Sequence, residues 1–161
     1  MSDDKLEPGT QLGQYIVGEP IAEGGMAQVY HAECLMPSRY NGRIVLKRMH
    51  QRLADDANFV SMFVEEARIL SHLDHPSIVQ LFDFEATSEG LYIILELVEG
   101  PDLLSILRGG ARRKATMPQE LAVYICCHIL EALDYAHTLE VKGRPLGIVH
   151  QDVSPGNVLI S

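Results

Sequence analysis

The stretch HQDVSPGN, residues 150–157, brings Asp152, Ser154 and Asn157 close together in the chain. It lies in the run GIVHQDVSPGNVLIS, residues 147–161. A carboxylate, a hydroxyl and an amide at this spacing look like chemistry, yet alone they complete no site. Their meaning depends on what lies upstream.

Working back from it, VKGRPLG (141–147) reads as a loop and QELAVYICCHILEALDYAHTLE (119–140) as a long helix. Leu121, Ile125, Ile129 and Leu133 form its i, i+4 apolar stripe. GGARRKATMP (109–118) reads as a basic, flexible linker, and DLLSILR (102–108) as a short helix. Before Gly100-Pro101 the pattern changes to strands. YIVGEPIA (15–22), QVYHAEC (28–34), RIVLKRM (43–49), IVQLFDFEA (78–86) and LYIILELV (91–98) are rich in β-formers. EGGM is a glycine turn between the first two strands, and MPSRYNG (36–42) a loop with turn signals at Pro37 and Asn41-Gly42. One helix interrupts the strands. Asp55 or Asp56 caps it, Phe59, Met62, Phe63, Ala67, Leu70 and Leu73 form its apolar face, and Pro76 lies beyond its end. The expected organisation is a polar lead-in over 1–13, a strand-rich part over 14–98 and a helical part over 99–161.

The bulk numbers narrow the function classes. Of 161 residues 47% are apolar, enough for a core, and the net charge of −9 argues against nucleic acid as a main partner. It leaves nucleotides open, because phosphates are held locally by backbone amides and a few cations. Cys34, Cys126 and Cys127 give neither a disulfide framework nor a zinc spacing, and are expected to be core thiols. The most apolar run is too short to cross a bilayer, and MSDDKLEPGT lacks a signal peptide's apolar stretch. A soluble, cytoplasmic protein without membrane contact is expected.

Three upstream features are each weak alone. Gly24-Gly25 suits a phosphate-cradling turn, but a plain hairpin turn uses the same residues. Lys47 in IVLKRM also fits a surface lysine on an edge strand, and Glu66 in FVEEARIL a solvated helix face. Their order is the stronger signal: glycine turn, strand lysine, helix glutamate, two strands, then HQDVSPGN. This order resembles the protein-kinase family, whose signatures are a Gly-rich loop, a V-A-I-K lysine, a helix glutamate and H-R-D-L-x-x-x-N. Here they read AEGGMAQV, IVLK, EEARIL and HQDVSPGN, and HPSIVQLFDF after the helix is also typical. The resemblance spans about residues 15–161 and is nearest to eukaryotic-like bacterial serine/threonine kinases.

That resemblance implies an α+β fold: a five-stranded antiparallel sheet with one helix, then a mainly helical lobe. It implies ATP and Mg2+ as ligands and a protein hydroxyl as acceptor. Ile21, Ala22, Glu23, Gly24, Gly25, Met26, Ala27 and Val29 would cover the nucleotide, with Val45, Leu95 (the gatekeeper position) and Leu159 also lining its site. Glu96 to Val98 would form the hinge against adenine. Lys47 would pair with phosphates and with Glu66, Asp152 would accept the substrate proton, Asn157 would ligate Mg2+, and His150 would join the loop to the core. Ser154 stands where such kinases usually carry a lysine.

The pattern also departs from the family. Of the three loop glycines only Gly24 survives, with Ala22 and Ala27 at the others; alanine resists positive φ. Val45 replaces the alanine of V-A-I-K and would narrow the adenine site. Gln151 replaces an arginine that pairs with phosphorylated activation segments in many relatives, so activity independent of such phosphorylation is expected. No Asp-Phe-Gly follows Asn157 in these residues. Negligible phosphoryl transfer by this chain alone is therefore expected, as is a marginal, self-associating or partner-dependent segment 102–161 with helix 119–140 exposed. The alternative is a non-catalytic nucleotide- or protein-binding module. Tyrosine specificity is disfavoured, because the loop lacks the arginine-containing pattern of tyrosine kinases.

Overall fold

Alternation along RIVLKRM positions the centre of the sheet. Ile44 and Leu46 are fully buried on one face, while Val45 and Lys47 are half-buried on the other. The computed structural model describes residues 5–36 and 43–161, so most of the expected 36–42 loop lies outside the described residues. The described chain divides into two units, Met1–His72 with Gln80–Leu97, and Leu73–Val79 with Val98–Ser161.

The first unit is an antiparallel sheet with one helix. Its strands are β1 (Gln11–Leu12), β2 (Tyr15–Glu23), β3 (Ala27–Cys34), β4 (Arg43–Met49), β5 (Leu81–Thr87) and β6 (Gly90–Glu96). They are ordered β1-β2-β3-β4-β6-β5. The five expected strands are present, and the two-residue β1 adds a sixth inside the expected lead-in. β5 starts three residues later than expected, because Leu73–Val79 belongs to the other unit and Ile78 N–H turns back onto His75 O.

Both faces of this sheet carry buried side chains. On one, Tyr15, Val17, Tyr30, Ile44, Leu46, Tyr92 and Ile94 form a core. On the other, Ala27, Met49 and Ile93 pack with Phe63 and Ala67 of helix α1 (Ala57–Leu70). Asp56 caps α1, its Oδ1 accepting from Asn58 N–H at 2.9 Å. Met62, expected on the buried face, is exposed. Phe63 and Ala67 are one turn apart and take the sheet-facing position, which rotates Met62 about 100° away.

The second unit contains α2 (Leu103–Arg112), α3 (Gln119–Thr138) and a small hairpin of β7 (Glu140–Val141) and β8 (Arg144–Pro145). The hairpin turns through Lys142 and Gly143, both at positive φ, as a two-residue turn of this twist requires. α2 extends into the expected linker. Ala115 N–H bonds to Gly110 O at 2.9 Å and Lys114 N–H to Ala111 O at 3.1 Å, with Lys114 at φ 55. This six-to-one, five-to-two closure ends a helix properly, so Gly109 and Gly110 finish α2 rather than break it. On α3 the expected stripe is only partly buried: Ile125 is buried, Ile129 and Leu133 are half-buried, and Leu121 is exposed. Cys34 is a core thiol as expected, but Cys126 and Cys127 are exposed, since the two positions after Ile125 turn away from its buried face. No helix among the described residues is long and apolar enough to cross a membrane.

Candidate active site

In the first unit the site residues are placed by strand register. Val29 pairs with Lys47 across β3 and β4, Lys47 with Ile93 across β4 and β6, and Val45 with Leu95. Directly opposed residues share a face, so Val29, Val45, Lys47 and Leu95 lie on the face that α1 covers in part. Lys47 is therefore on an interior strand, flanked on both sides, and not on an edge.

Lys47 reaches across to α1. Its Nζ donates to Glu66 Oε1 at 2.5 Å and Oε2 at 2.7 Å, and stands 5.8 Å from the ring centroid of Phe63. The ammonium is mostly covered while the carboxylate remains more open. A half-desolvated lysine needs such a partner. Glu65, one residue earlier, pairs instead with Arg68 on the solvent side at 2.6 Å, which holds its carboxyl below the usual range. The two adjacent glutamates thus separate by helix geometry into a sheet-facing and a solvent-facing role.

The glycine turn joins β2 to β3, with Gly24 N–H donating to Ala27 O at 2.9 Å. Ala22 and Ala27 lie within these strands, opposite Val29 and Met49. Neither residue has positive φ, nor do Gly24 and Gly25. In this conformation the alanines carry no backbone strain. Ile21, Ala22 and Glu23 are exposed and Met26 is half-buried. Glu96 N–H is bonded to Gln80 O at 2.9 Å, so Glu96 has no free amide to offer a ligand.

In the second unit, HQDVSPGN is a tight loop closed on itself. Asn157 Nδ2 donates to the Asp152 carbonyl and to Asp152 Oδ2, each at 2.9 Å. With its nitrogen used this way, the Asn157 amide oxygen is an acceptor outside both bonds. Asp152 N–H bonds to His150 O at 2.8 Å and approaches His150 Nδ1 at 3.3 Å. His150 is exposed and acts within the loop, rather than anchoring it in the core as expected. Between them Gln151 is held at φ 62, a costly conformation for a residue with a Cβ. Ser154 precedes the one-turn 3-10 helix Pro155–Asn157, its carbonyl accepting from Asn157 N–H at 3.0 Å. No cluster of three metal-binding His, Cys, Asp or Glu side chains exists among the described residues.

After the loop the chain docks on the start of α2. Leu159 bridges Asp102, Leu103 N–H bonds to Val158 O at 2.8 Å, and Ile160 N–H to Pro101 O at 3.0 Å. This approach makes Gly100 obligatory: a Cβ there would lie 1.8 Å from Ile160 O. Sequence reading identified Gly100 only as a change of pattern. Its contact is with the backbone 60 residues on, which no local signal reveals.

A family model described as protein kinase domain matches residues 15–161. The chain belongs to the protein kinase family. It is similar to the tyrosine-protein kinase MasK of Myxococcus xanthus, 33% identical over 150 residues that cover 92% of this chain and 23% of that protein. It is similar to the serine/threonine-protein kinase PknE of Mycobacterium tuberculosis, 35% identical over 153 residues, 95% of this chain and 25% of that one. Among solved structures it resembles the PknI kinase domain of Mycobacterium tuberculosis, with a TM-score of 0.75 and 27% identity, covering 98% of this chain and 59% of that one. The kinase chain thus spans about a quarter of the length of these curated relatives. The kinase-like α+β fold expected from the motif order is the fold of those structures.

Proposed function

We propose that this chain carries the ATP-handling residues and catalytic loop of a protein serine/threonine kinase. The observation that carries this reading is the Lys47 ammonium on both Glu66 oxygens, at 2.5 and 2.7 Å. Glu66 holds the lysine at a fixed point on the sheet, where its charge would meet the α- and β-phosphates of ATP. Val29, Val45 and Leu95 supply an apolar face for adenine, with Ile21 to Ala27 as a further wall and Glu96 at the hinge. For Glu96 this leaves its carbonyl as the backbone contact.

The catalytic loop assigns one task to each residue. Asn157 occupies Asp152 Oδ2, leaving Oδ1 to take the proton of the attacking hydroxyl. The free Asn157 oxygen fits Mg2+, which when bound would neutralise phosphate charge. Ser154 would offer a hydroxyl that donates to phosphate without adding charge. The family resemblance to PknE supports serine and threonine as acceptors; the similarity to MasK keeps tyrosine as the outcome that a peptide assay must eliminate.

Nucleotide titration tests the reading. Mg-ATP is expected to raise the melting temperature of the protein, and Lys47→Met to abolish that shift while leaving the ligand-free melt nearly unchanged. A chain that no nucleotide stabilises would instead be a protein-binding module. Residues 1–161 by themselves are expected to transfer negligible phosphate to a generic protein substrate, because transfer relies on metal ligation and positioning beyond a single asparagine ligand. Robust turnover by the purified chain would refute that.

A further inference from the structure

The turn Gly24–Met26 is tethered from outside the hairpin. Its three carbonyls all meet donors from the segment that follows β4. His50 Nε2 lies 2.9 Å from Gly24 O, His50 N–H donates to Met26 O at 3.0 Å, and Arg52 Nη2 donates to Gly25 O at 3.4 Å. His50 is only 3% exposed, so its ring bond is shielded from water. A carbonyl accepts only, so Nε2 carries the hydrogen. The amides of Gly25 and Met26, by contrast, have no acceptor among the described residues. A Cβ at Gly25 would meet nothing within 4 Å, so the turn has open space at that point.

We propose that His50, assisted by Arg52, is a positioning residue for nucleotide phosphate: it holds the three turn carbonyls and leaves the Gly25 and Met26 amides as the phosphate donors. This role rests on the nucleotide reading above. Carbonyl oxygens repel phosphate and amides attract it, so fixing the carbonyls elsewhere selects the useful half of the turn's dipoles. A tethered turn also loses less freedom on binding than a loose glycine-rich one. β4 then carries both phosphate-handling devices, Lys47 at its centre and His50 just past its end.

The experiment titrates the 161-residue protein with ATP and, separately, with adenosine, and follows amide hydrogen exchange over residues 22–29. His50→Leu is expected to weaken ATP about tenfold, to leave adenosine within about twofold, and to speed exchange in the turn. His50→Gln, whose Nε2–H reaches a similar point, is expected to stay within about twofold of the parent for both ligands. Arg52→Ala changes an exposed side chain and is expected to weaken ATP about twofold. A folded His50→Leu protein that binds ATP like the parent, or loses ATP and adenosine equally, overturns the proposal while the nucleotide reading stands. So does a folded His50→Gln protein that loses ATP, which keeps the test open if the leucine variant does not fold. If the parent binds neither ligand, the nucleotide reading falls and the phosphate role falls with it. Exchange in His50→Leu then reports on the tether alone, and an unchanged rate removes that too.

Discussion

The strand unit and the helical unit hold their candidate site residues by different means. Lys47 and Glu66 sit over a dense core, and nearly all the fully buried apolar side chains belong to that unit. In the helical unit only Leu73, Ile125 and Ala136 are buried apolar residues, while Leu107, Leu121, Val123, Tyr124, Leu130, Val149 and Val153 are exposed. Asp152 and Asn157 are positioned there by backbone and side-chain hydrogen bonds within a short loop. Packing positions one half of the candidate site residues and local polar geometry the other. The first should resist single polar changes and fail on loss of volume; the second should respond to backbone changes.

The largest expected effect breaks the packed side. Phe63 is fully buried beneath the Lys47 ammonium, and Phe63→Ala should cost about 3–5 kcal/mol in urea denaturation. It should also release Lys47 from its fixed point. A loss below 1 kcal/mol, on the order of a surface change, would mean that α1 is not packed as described. Next, Gly100→Ala attacks the polar side. The new methyl cannot coexist with Ile160 O, so the Leu103–Val158 and Ile160–Pro101 bonds should open at about 2–3 kcal/mol. Fast amide exchange at Leu103 and Ile160 would report it, and parent-like protection at both would refute it.

Two gains sharpen the comparison. Gln151 and Lys114 both adopt positive φ, so Gln151→Gly and Lys114→Gly should each stabilise by about 0.5–1 kcal/mol. If only Lys114→Gly stabilises, the Gln151 conformation is supported by its side chain and is not stored strain. The smallest effect is electrostatic. Asp102 caps α2 through Ser105 N–H and Oγ at 2.8 and 2.6 Å, and these donors hold its carboxyl below the ordinary range. A depressed carboxyl contributes stability that is complete above the ordinary carboxylate range and disappears as pH falls below it. The difference in melting temperature between the parent and Asp102→Asn should therefore shrink on acidification. A difference that is flat with pH would exclude the cap as its source.

Sequence alone was enough for the family and the strand order around the glycine turn; it narrowed the α1 cap to Asp55 or Asp56 and implied the pairing of Lys47 with Glu66 through the family resemblance. The elements rest on period-2 and period-3.6 patterns, whereas the family and the pairing rest on the order of motifs that resembles protein kinases, since Lys47 by itself also fits an edge strand. Local reading also separated HQDVSPGN from its surroundings and named Asp152 and Asn157. It erred where a helix face or end depends on what packs nearby: Met62 and Cys126 turned outward, and α2 ran through two glycines to close at Lys114. Only the tertiary structure disclosed Gly100 against Ile160 and His50 against Gly24. Both join residues far apart in the chain, and the contact exists only after the backbone has folded back on itself. The identity of a glycine or a histidine states what it can do, whereas the fold decides which atom it meets.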